Sequence, residues 1–405
     1  MAATAPTRRL PAAAWWLGAV SFVNDAASEM VLPLLPALLT GTLGASAATL
    51  GGIEGTATAV GSVLKLWGGR VADRTGRHGA FVIGGYALSN LLRPLLALAS
   101  SPAAVLALRV GDRLGKGLRT APRDALLTEA TPPAARLAAF AVHRALDHAG
   151  TIAGAGLAVL LMTTLGAGPA EVFAWSAVPG VCVVVLAVLA VRATRVDVPA
   201  APRVPLTLAV TAPLRRLLVV LTVSRLGFAS EMFLLLFAGQ RLPLWAVPIL
   251  WAALHVVKSL ASFGSAPLGH LLGPRTTVLW GWGAHAAVFG GFALACHRWP
   301  AAEPAPAAAA AIAGLFCAWG LYSGLSEGAE KALVAERAGE GARGTAFGSY
   351  HLVTGLASLP ASWGFGLVWE AASPTVAFAG GAALAVVAGV GLVAWVPTVE
   401  RASPP

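Results

Sequence analysis

Charged side chains recur inside stretches of this sequence that are otherwise apolar, and their spacing suggests what chemistry they do. The densest run is Arg109, Asp112, Arg113, Lys116, Arg119, Arg123 and Asp124. Arg109, Arg113, Lys116 and Arg123 follow one another at steps of four, three and seven, which places them on one helical face with Arg119 close beside. Two aspartates cannot balance five cations within that helix. The balancing charge must come from Asp147 or Glu129, from acids on other elements, or from a bound anion. Asp25 and Glu29 stand one helical turn apart in the first apolar stretch. Two carboxylates so placed repel when both are ionised, and a carboxyl that holds a proton near neutral pH is what a proton carrier needs. The plain alternative makes both acids static partners of the cations. Glu231, Glu327 and Glu330 supply further carboxylates in later apolar stretches. Lys258 lies one turn after His255, within pairing reach of Glu231.

The elements that must position these groups follow from composition. The chain has 405 residues, 57% hydrophobic and 11% charged, with a mean hydropathy of +0.75. Soluble domains carry about a quarter charged residues. A bilayer core of about 30 Å needs about 20 apolar residues per helix. Such segments lie near 15–39, 48–68, 80–100, 103–127, 138–164, 171–192, 217–239, 245–266, 277–297, 305–333, 344–369 and 375–396. The expected fold is an all-α membrane protein of about twelve spans. An ionisable residue at the bilayer centre costs several kcal/mol, so each one is a functional-site hypothesis weighed against a buried ion pair.

The net charge of +10 does not point to nucleic acid. With the N-terminus inside, inner loops and tails carry roughly fifteen arginines, against about two, Arg241 and Arg298, outside. The inner set includes Arg8, Arg9, Arg70, Arg74, Arg77, Arg192, Arg195, Arg203, Arg215 and Arg216. Basic charge here sets topology in a bilayer, with both termini expected on the cytoplasmic side of an inner membrane. Ala45-Ser46-Ala47 looks like a cleavage site, but the preceding stretch is too long and holds Asn24, Asp25 and Glu29, so no cleaved signal is expected. Cys182, Cys296 and Cys317 are isolated and read as packing residues. No metal is expected; His143, Asp147 and His148 do not share one face. Of the 28 basic residues only Lys65, Lys116, Lys258 and Lys331 are lysine, and all four fall in or at the ends of predicted spans.

The chain is internally repeated. Ala27-Ser28-Glu29-Met30 recurs as Ala229-Ser230-Glu231-Met232. Ala125-Leu126, Glu129, Arg136, Ala139 and Phe140 recur about 207 residues later as Ala332-Leu333, Glu336, Arg343, Ala346 and Phe347. Gly76 and Gly84 answer to Gly273 and Gly281. The expected organisation is a six-helix bundle over 1–191, a linker over 192–216 rich in Pro, Arg and Thr, and a second bundle over 217–405. After the second span the chain reads Gly69-Arg70-Val71-Ala72-Asp73-Arg74-Thr75-Gly76-Arg77-His78. Gly69 admits close helix packing, Gly76 a tight turn, and Asp73 can neutralise an arginine or a helix N-terminus. This loop resembles the signature loop of the major facilitator superfamily. In the second half, Gly269-His270 and Gly273-Pro274-Arg275 form a degenerate copy, with His270 in place of the aspartate.

The resemblance implies two pseudo-symmetric bundles rocking about a midplane site, a cavity lined by spans 1, 4, 7 and 10, and a gating role for Gly69, Asp73, Arg74, Gly76 and Arg77. Gly115-Lys116-Gly117 through Leu126, with His143-Arg144-Ala145-Leu146-Asp147, resembles a poorly characterised prokaryotic branch. Gly150, Gly154 and Gly156 occur without the proline that marks drug–proton antiporters of that superfamily. No phosphate-binding Gly-x-x-x-x-Gly-Lys-Ser/Thr loop is present, so an ion gradient must supply the energy. The expectation is a monomeric, cofactor-free secondary transporter. It exports a small anionic or zwitterionic organic solute in exchange for protons, with sodium as the other coupling ion. Proton-coupled uptake of an organic anion is the alternative. A membrane enzyme lacks a nucleophile–base pair or metal cluster, and a receptor on the same fold differs only in lacking flux. Arg109, Arg113, Lys116, Arg119 and Lys258 are the expected substrate contacts. Arg123, Asp124, Arg144 and Asp147 form an expected cytoplasmic gate network. Glu54 and Arg93 are expected to pair with each other.

Overall fold

The computed structural model describes residues 10–194, 211–228, 230–301, 306–338 and 343–396. Twelve helical spans are present among them. They are α1 (Ala12–Glu29), α2 (Ala47–Thr75), α3 (His78–Leu92), α4 (Pro102–Glu129), α5 (Arg136–Thr164) and α6 (Pro169–Trp175, then Ala177–Thr194). The second set is α7 (Ala212–Gly227, then Met232–Gly239), α8 (Ala246–Leu272), α9 (Pro274–Arg298), α10 (Pro306–Arg337), α11 (Arg343–Ala371) and α12 (Pro374–Trp395). Each predicted segment coincides with one span. Nine of them, α3 and α5–α12, are long and apolar enough to cross a membrane by composition. The three that fall short, α1, α2 and α4, are those carrying Asp25, Glu29, Glu54 and the 109–124 charges.

Local sequence sets the ends. Ser46, Ser101 and Ser373 cap α2, α4 and α12, each side chain accepting from the backbone N–H three residues on. Pro102 and Pro374 occupy the first helical turn, where a missing N–H costs nothing. Pro33 and Pro36 end regular α-helix in the first span, which continues as a 3₁₀ turn (Leu32–Leu34) and a wide turn (Ala37–Thr42). The seventh span breaks between Gly227 and Met232. The repeated Ser-Glu-Met therefore falls on a mid-span break in both halves; Ala229 of that repeat lies outside the described residues. Gly76 closes α2 at φ 66°, the left-handed conformation its tight turn requires, and its counterpart Gly273 stands at φ 79°.

The duplication is written in the packing. The pairs α1–α5, α1–α6, α2–α4, α3–α4 and α3–α6 recur as α7–α11, α7–α12, α8–α10, α9–α10 and α9–α12. The fold is two pseudo-symmetric six-helix bundles. The linker expected over 192–216 falls largely on residues 195–210, outside the described residues.

The bundles meet through α2 against α11 and α5 against α8. A Cβ at Gly51 or Gly55 of α2 would strike the α11 backbone at Ser362 or Leu359, and one at Gly366 would strike Ala47 and Ala48. Glu370 accepts a 2.7 Å bond from the backbone N–H of Ala48. All these contacts lie at the face away from the chain's termini, and the last of the series is Gly355 on Ser62. One turn further along α2, Lys65 already lines an open cavity. The α2–α11 contacts thus close the halves at the far face, and a cavity lies between them toward the face where α1 begins and α12 ends.

Overpacking such a contact costs about 1–3 kcal/mol, enough to move a two-state balance by about tenfold. Gly366→Val should therefore speed maleimide labelling of Thr58→Cys from the far face by about tenfold, in a chain with its native cysteines replaced. Unchanged labelling would show that this contact does not hold the far face shut.

Candidate functional site

Two glycines aim the central cation. Gly115 and Gly117 lie on nearly opposite sides of α4. A Cβ at Gly115 would meet Gly85 and Ser89 of α3, and one at Gly117 would meet Leu64 of α2. Gly68 and Gly85 make the reciprocal approaches. The helix is thus wedged between α2 and α3 by its glycines, and Lys116, about 100° round from each, faces the space between the halves. That space is a cavity of about 360 Å³. It is bounded by α1, α2, α4, α7, α8 and α11, together with Arg93 at the end of α3. Of the sequence-predicted residues it brings together Asp25, Glu29, Arg109, Arg113, Lys116, Arg119, Glu231 and Lys258. Glu327 and Glu330 lie instead on a second cavity of about 370 Å³ toward the termini. The helix α10, expected at the centre, lines that second cavity and not the first.

The expected Glu54–Arg93 pair does not form. Glu54 instead receives Arg109 in a bidentate pair, Nε–Oε1 2.7 Å and Nη2–Oε2 2.9 Å. Arg93 donates to Asp112 at 3.2 Å and to Asn90 at 2.8 Å. Helical spacing fixed which face each residue occupies, but not which neighbouring helix comes close enough to meet it. From Asn90 the chain of bonds continues to Asn24 at 3.1 Å and from Asn24 to Asp25 at 3.0 Å. Asp112 also lies 3.6 Å from Arg109. One polar chain, Asp25–Asn24–Asn90–Arg93–Asp112–Arg109–Glu54, threads α1, α3, α4 and α2. Asn24 and Asn90 were not singled out from sequence, although two asparagines at mid-span depth are the signal that could have found them.

The helix 4 cations divide. Arg109 is spent on Glu54, and Arg119 turns to α3, donating to Ser89 at 2.7 Å with its guanidinium 4.6 Å above the Tyr86 ring. Arg123 pairs with Asp124 at 2.9 Å and donates to Ser21 at 3.1 Å. Arg113 keeps one loose approach to Glu54, 4.0 Å, while its Nε is buried without a hydrogen-bond partner. Among the described residues neither Lys116 nor Lys258 forms an ion pair within 4.0 Å, so the proposed Lys258–Glu231 pair is not made. Opposite them stand three acids. Asp25 is an electrostatic neighbour of Lys116, Glu29 and Asp147. Glu29 accepts a 2.7 Å bond from the indole of Trp251 on α8, and Glu231 a 3.2 Å bond from that of Trp319 on α10.

The second half is held differently. Glu330 is buried and accepts from Arg225 at 2.8 Å, Trp282 at 3.1 Å and Tyr350 at 3.1 Å. Arg225 was overlooked in the sequence, where Glu231 is the other charged residue of the predicted seventh span. Glu327 pairs with Lys331 one turn along, at 2.8 Å. Around His285 the interior is aromatic, with Phe228, Phe289, Trp319 and Tyr322 about its ring.

At the termini face, Asp73 meets His78, the first residue of α3, at 3.0 Å; the arginine partner allowed for it is not what it finds. Gly69 faces Ala121 of α4, while Arg74 and Arg77 are exposed. In the network expected nearby, Asp147 lies 3.4 Å from His143 and 3.9 Å from Arg144. His143 in turn contacts Ser21 at 3.1 Å, and Ser21 receives Arg123. The two pairs Arg123–Asp124 and Arg144–Asp147 are thus linked through Ser21 and His143 rather than directly.

Comparison with known proteins agrees with this architecture. A family model described as Major Facilitator Superfamily matches residues 17–362. An uncharacterized MFS-type transporter of Methanocaldococcus jannaschii is 29% identical over 398 residues, 94% of each chain. The solved nucleoside transporter NupG superposes with a TM-score of 0.75 at 12% identity, over 94% of this chain and 98% of its own. A POT family transporter in complex with 5-aminolevulinic acid does so with a TM-score of 0.77 at 12% identity, over 95% of both. With its twelve spans, its repeated halves and a family match over most of its length, this chain belongs to the Major Facilitator Superfamily of membrane transporters.

Proposed function

We propose that the protein is a secondary active transporter that exchanges protons for a small zwitterionic organic solute, in the direction of export. One observation carries this reading: Glu29 of the first half is bonded to Trp251 of the second, in the cavity that also holds Lys116, Arg113 and Lys258 without tight partners. An acid whose donor sits on the opposite half changes surroundings when the halves rock, which is the requirement for coupling a proton to the cycle. The cationic end of a zwitterion binds ionised Asp25 and Glu29 in competition with the proton, which is the logic of exchange. Its carboxylate takes Lys116 and Arg113. The cationic excess in the cavity favours a second reading, uptake of a simple anion together with a proton, because protonating Asp25 or Glu29 frees the neighbouring cations for it. Glu231 is the pseudo-symmetric acid, and sodium is the competing coupling ion. Asp73, with His78, serves as a gate on the termini face. The setting we assign is a prokaryotic plasma membrane, with the protein monomeric and both termini cytoplasmic.

Flux in proteoliposomes tests the two readings. A panel of zwitterions and anions is offered under an imposed pH gradient, with sodium present or absent. Proton release driven by a zwitterion supports exchange, proton uptake with an anion supports symport, and dependence on sodium alone overturns proton coupling. Glu29→Gln should abolish coupling to the gradient while preserving counterflow of the solute; normal coupling would remove Glu29 from that role.

Stability separates the static charges from the working ones. Removing one partner of a buried pair costs about 3–5 kcal/mol, so Glu54→Gln should lower the unfolding temperature markedly. Lys116→Ala should leave the unfolding temperature near that of the parent and raise the solute KM about tenfold or more, as loss of one charge-assisted bond predicts. A fall in stability equal to that of Glu54→Gln would return Lys116 to a structural role.

A further inference from the structure

All four lysines of the chain line the two adjoining cavities: Lys116 and Lys258 the central one, Lys65, Lys258 and Lys331 the one toward the termini. Most arginines of the spans behave otherwise, Arg113 with its loose 4.0 Å approach to Glu54 being the exception. Arg93, Arg109, Arg119, Arg123 and Arg225 each hold a side-chain hydrogen bond that ties helices together or fixes a helix face. A planar guanidinium suits fixed bidentate contacts, whereas an ammonium on a flexible stem is a mobile point charge. Lys65, Lys116 and Lys258 have no ion-pair partner within 4.0 Å among the described residues, and Lys331 has only Glu327 of its own helix.

We propose that the second cavity is a distinct anion-binding station, formed by Lys65 of α2, Lys331 of α10 and the shared Lys258. It takes a compact oxyanion group: a carboxylate, phosphate or sulfonate. Lys65 and Lys331 belong to opposite halves and lie within electrostatic reach across the mouth of the cavity. Glu327 offsets part of the repulsion between them, and a bound anion adds to that offset when this mouth closes. Lys258, which lines both spaces, hands the group on to Lys116. Thr58, Phe228, Ser358 and Glu231 also line both, so the two spaces adjoin. The station deepens the transport reading, on which its role in the cycle rests, but its occupancy is testable without a known solute.

The test uses the fact that these four are the chain's only side-chain amines. The full-length protein in nanodiscs is acylated with a water-soluble acetylating ester, and each lysine's rate is read by mass spectrometry. Sulfate or phosphate is compared with chloride at equal ionic strength, so that general screening is held constant. The expected result is acylation slowed about fivefold or more at Lys65 and Lys331 together, with Lys65→Gln abolishing the protection at Lys331 in protein that stays monodisperse; protection of this size corresponds to a site mostly occupied. Protection by sulfate or phosphate alone identifies a free inorganic oxyanion as a ligand. Protection only by solutes active in the flux assay assigns the station to the substrate's anionic group. Protection confined to Lys116 overturns the second station and leaves the proposed function standing. No protection at any lysine, by either class of anion, overturns the station outright, whatever the flux assay gives.

Discussion

A guanidinium held at hydrocarbon depth has to be met by a carboxylate, and the first half of this protein is organised around that demand. Arg109 costs about 2.5–3.5 kcal/mol on insertion scales if left alone at the centre of a helix. Glu54 meets it bidentately, and further along the same two helices Gly68 and Gly117 let α2 and α4 approach backbone to backbone. With Glu54 taken, Asp112 serves Arg93, and Asn90 and Asn24 carry the polarity on to Asp25. Four helices are tied by one network in which every member has a partner, the condition under which buried polar groups rigidify a core rather than weaken it.

The second half reaches the same helix arrangement by other means. At the offset of about 207 residues, Arg109, Asp112, Lys116 and Arg119 answer to Phe316, Trp319, Ser323 and Ser326. The charged face of α4 has become an aromatic and hydroxyl face on α10, and Phe233, Phe289, Phe292, Phe365 and Phe378 pack ring on ring behind it. Among the described residues of this half, Arg225–Glu330 is an ion pair with its carboxylate buried. Two rigid bodies of unlike interior then meet along glycines, with Glu370 on Ala48 and Glu29 on Trp251 as polar bonds between them. When such a joint parts, Glu370 and Glu29 are the carboxylates that lose a donor from the other half.

How much of this was legible depends on what a pattern encodes. Spans, duplication and the Gly76 turn were readable because hydropathy, repetition and a left-handed glycine each leave a local mark. The pairing of Glu54 was not. Periodicity gives a residue its face, whereas the partner depends on which helix lies alongside, and that is decided by small residues far away in sequence. Gly115 and Gly117 were visible as a motif, but their use as two flats that aim Lys116 required the neighbours of α4. Arg225 and Trp251 were missed for a related reason. A lone charge in an apolar run carries no periodic signal, and a tryptophan within a hydrophobic span gives no cause to expect an acid beside it.

The repeated Ser-Glu-Met shows why pseudo-equivalent residues need not share a role. Both copies sit where a span interrupts its helix, so both acids stand beside backbone groups that the helix does not satisfy, and both accept an indole N–H. The difference is the address of the donor. Trp319 belongs to the same half as Glu231, so their bond travels with the bundle and survives rocking unchanged. Trp251 belongs to the half opposite Glu29, so that bond must stretch or break when the far face opens. A ligand or proton can bias an equilibrium only through a contact that differs between the two states. Of two acids placed alike by an ancestral duplication, Glu29 alone has its indole bond across the joint, and the asymmetry rests on where one tryptophan lies rather than on the acids themselves.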